Sequence, residues 1–186
     1  AIKLCPLVRT LRGQPDRFKV TVCVTAQHRS LLDSALAAFD VQPDIDLGVM
    51  TANQSLAGLT ARILDGLDPV LQTRKPSLVV VQGDTTTTFA AALAAFYRHI
   101  PSAHVEAGLR TGSLSEPFPE ELNRVLTSRL SSLHFAPARH SAARLAAEDI
   151  PQDRIHVTGN TGIDALLWVR DQLENGHLQG YTAPLP

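Results

Sequence analysis

The sequence predicts an α/β protein built on a mostly parallel, doubly wound sheet, and three observations point there. Short β-branched runs alternate with stretches of helical period along nearly the whole chain, the pattern of strands joined by crossover helices. Leu78-Val79-Val80-Val81 is apolar without alternation, as expected of a central strand covered on both faces. Polar, glycine-containing turns follow the strand candidates, as in Gln82-Gly83-Asp84 and Glu106-Ala107-Gly108. In a parallel sheet such strand ends line one crevice, where ligands bind.

Taken in order, Leu4, Leu7, Val8 and Leu11 recur at helical spacing until Gly13 and Pro15 end the pattern. Phe18 to Thr25 is β-branched and predicts a strand, and Ser30 is placed to cap a helix from Leu31 to Phe39. Asp44 to Met50 predicts a weaker strand. Ser55 to Thr73 predicts a long amphipathic helix that Pro69 could kink. The strand Leu78 to Gln82 is followed by a helix over Thr85 to Tyr97. A buried strand over Ala103 to Glu106 comes next, then a helix from Glu120 to Leu130 with Pro119 at its start. Leu133 to Ala136 (strand), Ser141 to Glu148 (helix), Arg154 to Thr158 (strand) and Ile163 to Leu173 (helix, carrying Trp168) complete the alternation. The expected organisation is one domain over residues 1–174 and a tail or linker over 175–186.

The 186 residues suffice for one domain with a real core. A formal net charge of −1 gives no electrostatic reason to expect nucleic acid or an anionic membrane as partner. No apolar run approaches the ~20 residues that span a bilayer, and no signal-peptide pattern opens the sequence. Cys5 and Cys23 are too few for a disulfide framework or a metal site. A cytoplasmic protein with reduced core cysteines, no metal and no cofactor is expected.

Three carboxylates stand at the junctions of the central stretch. Asp84 follows a buried strand and precedes a helix, where it serves either as an N-cap or as a group turned toward a ligand. Glu106 ends the next strand, Gly108 permits a tight turn, and Arg110 suits a pair with Glu106 or a phosphate. Glu120 and Glu121 open a helix, where acids also simply offset its dipole. Asn123 and Arg124, one turn on, suit hydrogen bonds back to those acids. Three acids delivered to one crevice point to acid/base chemistry. Of the histidines, His99, His104, His134, His140, His156 and His177 show no metal-ligand spacing, whereas His28 lies in the polar strand-end turn Gln27-His28-Arg29.

Taken together, AIKLCPLV, VTAQHRSLLD, VVVQGDTTTTFAAALAAFY, HVEAGLRTG, PFPEELNR and VTGNTGIDALLWVRDQ closely resemble the non-hydrolysing bacterial UDP-N-acetylglucosamine 2-epimerases. The resemblance implies a Rossmann-like domain, one half of a GT-B-like fold with substrate between two domains. It implies reversible conversion of UDP-GlcNAc to UDP-ManNAc by elimination and re-addition of UDP, serving cell-surface polysaccharide synthesis in a homodimeric parent. It makes Asp84, Glu106 and Glu120 the catalytic carboxylates and places Lys3 and Arg110 in the substrate pocket. Gln27, His28, Arg29 and Arg62 match a region that binds a second UDP-GlcNAc as allosteric activator in some members. The family's first strand and its Gly-Thr-Arg-Pro-Glu turn would precede Ala1, and a second domain supplying a histidine and the uridine contacts would follow. This chain alone is therefore expected to be inactive. Two other readings start from the same motifs: a non-catalytic nucleotide-sugar-binding remnant, and a hydrolysing relative that releases free N-acetylmannosamine.

Overall fold

A computed structural model describes residues 1–25, 29–51 and 54–178. Its elements follow the expected alternation, in the order α1 (Cys5–Arg12), β1 (Cys23–Val24), α2 (Arg29–Ala38), β2 (Ile45–Asp46), α3 (Leu56–Arg74), β3 (Val79–Gln82), α4 (Thr86–Tyr97) and β4 (Ser102–Val105). These are followed by α5 (Glu120–Leu130), β5 (Leu133–Ala136), α6 (Arg139–Ala147), a 3-10 turn (Gln152–Arg154), β6 (Ile155–Val157) and α7 (Thr161–Glu174). The described residues fall into two compact units, one formed by residues 1–24, 29–46 and 161–178, the other by 25, 47–51 and 54–160.

In the first unit β1 and β2 pair in parallel, Cys23 opposite Ile45 and Val24 opposite Asp46. Cys5, Leu36, Phe39, Val41 and Ala165 form its core. Trp168 stacks on Phe39 at 4.8 Å between centroids, and the Arg9 guanidinium covers the same indole at 4.7 Å. The strand expected over Phe18 to Thr25 shrinks to two residues for a visible reason. Asp44 accepts from the Val22 amide through its carboxylate (2.7 Å) and donates its own amide to the Val22 carbonyl (2.8 Å), so a side chain ends the ladder there. Gly48, at φ +55°, likewise cuts β2 short of Met50. Ser30, expected to cap α2, falls inside that helix, which begins at Arg29, and its side chain lies outside the described residues. Cys23 is half-buried, and burial pushes its thiol up to about 11.

The second unit holds a four-stranded parallel sheet in the order β3-β4-β5-β6. Every residue of β4 is buried, as a central strand requires. Helix α3 runs through Pro69 without a break, laying Leu59, Ile63, Leu67 and Leu71 along one buried line at i, i+4 spacing. No described helix is long and apolar enough to cross a membrane.

His104 on β4 and His134 on β5 are register partners, and neither ring is exposed. Burial drives the His104 pKa down to about 4, only partly opposed by its hydrogen bond to the Gly83 carbonyl, and the same cause holds His134 at about 4. An unfolded histidine titrates near ~6.5, so below that pH the unfolded chain takes up protons first. The folded pKa is depressed, so the contribution is complete above about pH 6.5 and is lost as pH falls toward 4. For His104 alone this amounts to roughly 3 kcal/mol. The urea midpoint is expected to drop steeply between neutral pH and about pH 4.5; a level midpoint across that window would contradict neutral, buried rings.

Candidate active site

The parallel register sets Gln82 opposite Val105, so Gly83 and Glu106 leave adjacent strands side by side. Both turn through left-handed backbone, Gly83 at φ +79° and Glu106 at φ +66°. Glycine adopts that conformation freely. A glutamate held there is strained, and such strain gathers at sites where the surroundings must impose it. Gln82 Nε2 donates to Glu106 Oε2 at 2.6 Å, and the Gly83 carbonyl accepts from His104 Nε2 at 2.7 Å. Neutral His104 must therefore carry its proton on Nε2.

Asp84 is not the helix cap. Thr85 takes that place, its hydroxyl accepting from the Thr88 amide at 3.3 Å, while the Thr88 hydroxyl donates to the Gln82 carbonyl at 2.6 Å. The threonine run thus closes the turn on its own and leaves the Asp84 carboxylate to face α5. There Arg124 Nη2 donates to Asp84 Oδ2 at 2.6 Å, and Asn123 Nδ2 donates to the Asp84 carbonyl at 2.9 Å. The Asp84 side chain keeps 34% of its surface exposed, against 11% for Arg124, so the acid reaches solvent and the cation behind it does not.

Glu120 opens α5 one helical turn before Arg124, at the i, i+4 spacing that puts two side chains on one face. Among the described residues, no hydrogen bond or ion pair ties its half-buried carboxylate. Its neighbour Glu121 is the opposite case: 2% exposed, accepting from the Thr111 and Gly112 amides at 2.9 and 3.2 Å, and 3.3 Å from Arg124 Nη1. The turn after β4 is fixed by close approach. A Cβ on Gly108, at φ +85°, would stand 2.3 Å from the Ser141 carbonyl oxygen on α6.

The chain matches the family model described as UDP-N-acetylglucosamine 2-epimerase over residues 9–183. The chain belongs to the UDP-N-acetylglucosamine 2-epimerase family. A curated relative of that name from Yersinia pestis is 56% identical over 175 residues, covering 94% of this chain and 46% of its own. Among solved structures, the Neisseria meningitidis UDP-GlcNAc 2-epimerase bound to UDP-GlcNAc superposes with a TM-score of 0.90 at 49% identity, over 95% of this chain and 48% of that one. The Methanocaldococcus jannaschii UDP-GlcNAc 2-epimerase in complex with UDP-GlcNAc and UDP gives 0.83 at 35% identity, over 96% and 48%. The chain thus spans about half the length of the epimerases it matches.

Of the residues expected from the epimerase resemblance, Asp84 and Glu106 follow the neighbouring strands β3 and β4 at their carboxyl ends, and α5, which Glu120 opens, reaches Asp84 through Asn123 and Arg124. Arg110 does not pair with Glu106. It grips Glu148 on the far side of its turn, Nε to Oε1 at 2.7 Å and Nη2 to Oε2 at 2.9 Å, and Nη2 also donates to the Ser128 hydroxyl at 3.0 Å. That pair holds the Glu148 carboxyl below its usual range, first through the hydrogen bond from Arg110. A bidentate carboxylate at the start of the loop after α6 outcompetes the monodentate reach to Glu106. Lys3 lies in the other unit, in the turn before α1. Arg62 donates through Nε to the Val49 carbonyl at 3.0 Å and through Nη2 to Gln54. Gln27 and His28 lie outside the described residues, as does the side chain of Arg29.

The expected reach of Arg124 back to an acid of the first turn is met by Glu121. Sequence reasoning gave no role to two participants, Gln82 beneath Glu106 and His104 beneath Gly83. Nothing local in the sequence marks them, because their partners lie on a neighbouring strand.

Proposed function

We propose that this chain supplies the acid/base wall of a UDP-N-acetylglucosamine 2-epimerase, with UDP-GlcNAc as substrate and UDP-ManNAc as product. The observation that carries the reading is that Asp84 and Glu106 follow neighbouring strands at one sheet edge, with α5, which Glu120 opens, held to Asp84 through Arg124. The C2 proton of the sugar is too weakly acidic for simple abstraction. A carboxylate takes it while the C1–O bond breaks, its electron pair leaves with UDP, and a C1–C2 double bond forms. Returning the proton to the other face of C2 and re-adding UDP at C1 completes the inversion. This scheme needs groups that hold and release protons on both faces of the ring. Glu120, untied by any hydrogen bond or ion pair among the described residues, suits the mobile carrier, and Glu106, set on strained backbone, suits a fixed one. Binding and stabilising the departing diphosphate falls to donors elsewhere in the assembled enzyme. The proposed domain is Rossmann-like over residues 1–174, and its proposed place is in the cytoplasm as part of a dimeric parent. The regulatory reading of Gln27, His28, Arg29 and Arg62 stands as part of the same proposal, as does substrate contact by Lys3 and Arg110.

The test exchanges the matched segment of the Yersinia pestis relative for this chain and follows UDP-GlcNAc by NMR. Formation of UDP-ManNAc with the glycosidic phosphate intact is the expected result. Release of free N-acetylmannosamine would identify a hydrolysing enzyme instead, and a folded, UDP-binding chimera with no turnover would reject the reading.

A further inference from the structure

Arg124 stands between two carboxylates that do different things. On one side it holds Asp84, the partly exposed acid of the candidate site, at 2.6 Å. On the other it meets Glu121, whose second oxygen accepts the amides of Thr111 and Gly112. These contacts form one chain from the turn after β3, through the first turn of α5, to the loop that follows β4. Glu121 and Arg124, the charged links in its middle, are shielded from water, where charge-assisted contacts hold their geometry best. The interior of such a chain is costly to leave incomplete, since a buried carboxylate or guanidinium without its partner keeps its full desolvation penalty.

We propose that Glu121 is a positioning residue: through Arg124 it fixes the orientation of Asp84, and it ties that carboxylate to the loop at Thr111–Gly112. This deepens the epimerase reading and rests on it for its catalytic meaning, but the linkage itself does not depend on that reading. Glu121 is suited to the role by its two distinct oxygens. Oε1 serves the loop amides and Oε2 faces Arg124, so the two jobs separate in Glu121→Gln. An amide keeps an acceptor for Thr111 and Gly112 and loses the charge that steadies the guanidinium. The contacts from Asp84 to the loop run through α5, by way of Arg124 and Glu121.

The experiment records amide NMR spectra of the 186-residue chain. Asp84→Asn is expected to move the Thr111 and Gly112 signals, although neither residue touches Asp84, and the same substitution in an Arg124→Gln background is expected to leave them where that background sets them. Signals unmoved by Asp84→Asn in the otherwise unchanged chain would overturn the proposal. Equal movement in both backgrounds would overturn it as well, because the path would then bypass Arg124. In the chimeric epimerase, Glu121→Gln should lower kcat by about 10–100-fold, the usual effect of losing an orienting partner, with KM unchanged. A rise in KM with kcat unchanged would reject orientation of Asp84 as its role. An inactive parent with the NMR coupling intact would reject the epimerase reading and leave the linkage standing.

Discussion

Asp84→Asn and Glu120→Gln, each placed in the chimeric epimerase, are expected to lower kcat by about 10²–10⁴-fold, the range general acid/base groups contribute. Affinity for UDP should change little, because neither substitution touches the donors that grip a diphosphate. The two should differ in one respect. Asp84→Asn also removes the charge that Arg124 answers at 2.6 Å, so it disturbs α5 and lowers the melting temperature as well. Glu120→Gln removes a carboxylate with no ion-pair partner among the described residues and should leave stability nearly unchanged. Rates near normal in both variants would remove the acid/base assignment, whatever their stability.

Gly108→Ala is expected to be the most damaging single change to the fold. Its φ of +85° already disfavours any side chain, and the added Cβ would meet the Ser141 carbonyl oxygen at 2.3 Å and Leu145 Cγ at 3.0 Å. Both neighbours are buried members of α6, one of them backbone, so neither moves aside cheaply. Strain and overlap together should cost about 3–5 kcal/mol, enough to unfold a protein of ordinary stability. Gly112→Ala offers the control: it shares the positive φ, at +87°, but its Cβ would meet nothing within 4 Å. Comparable urea midpoints for the two variants would show that backbone strain alone, and not the approach of α6, makes Gly108 necessary.

Much of this architecture is written locally. The order of strands and helices follows from periodicity, and β3, β4, β5 and α4 fall within a residue or two of where the sequence predicts them. The elements that shrink do so for tertiary reasons. Phe18 to Thr25 has strand composition throughout, but composition cannot reveal that Asp44 will close the ladder at Val22. The site divides in the same way. Asp84, Glu106 and Glu120 are legible because each follows a recognisable strand or opens a recognisable helix. That Thr85 and not Asp84 caps α4 is a matter of backbone angles at one residue, and either assignment suits the sequence. Arg110 shows the limit most clearly: Glu106 lies four residues away and Glu148 thirty-eight, and the distant acid wins because α6 carries it to the guanidinium in bidentate geometry.

The central claim is that these three carboxylates move the C2 proton of a nucleotide sugar. It is tested most directly by incubating UDP-GlcNAc with the chimeric epimerase in D₂O and watching the C2 proton by NMR. The account predicts that deuterium enters C2 as UDP-ManNAc appears, and that both processes slow together in Asp84→Asn and Glu120→Gln. UDP-ManNAc formed with its original C2 proton retained, or deuterium entering at an undiminished rate in the two variants, would contradict it.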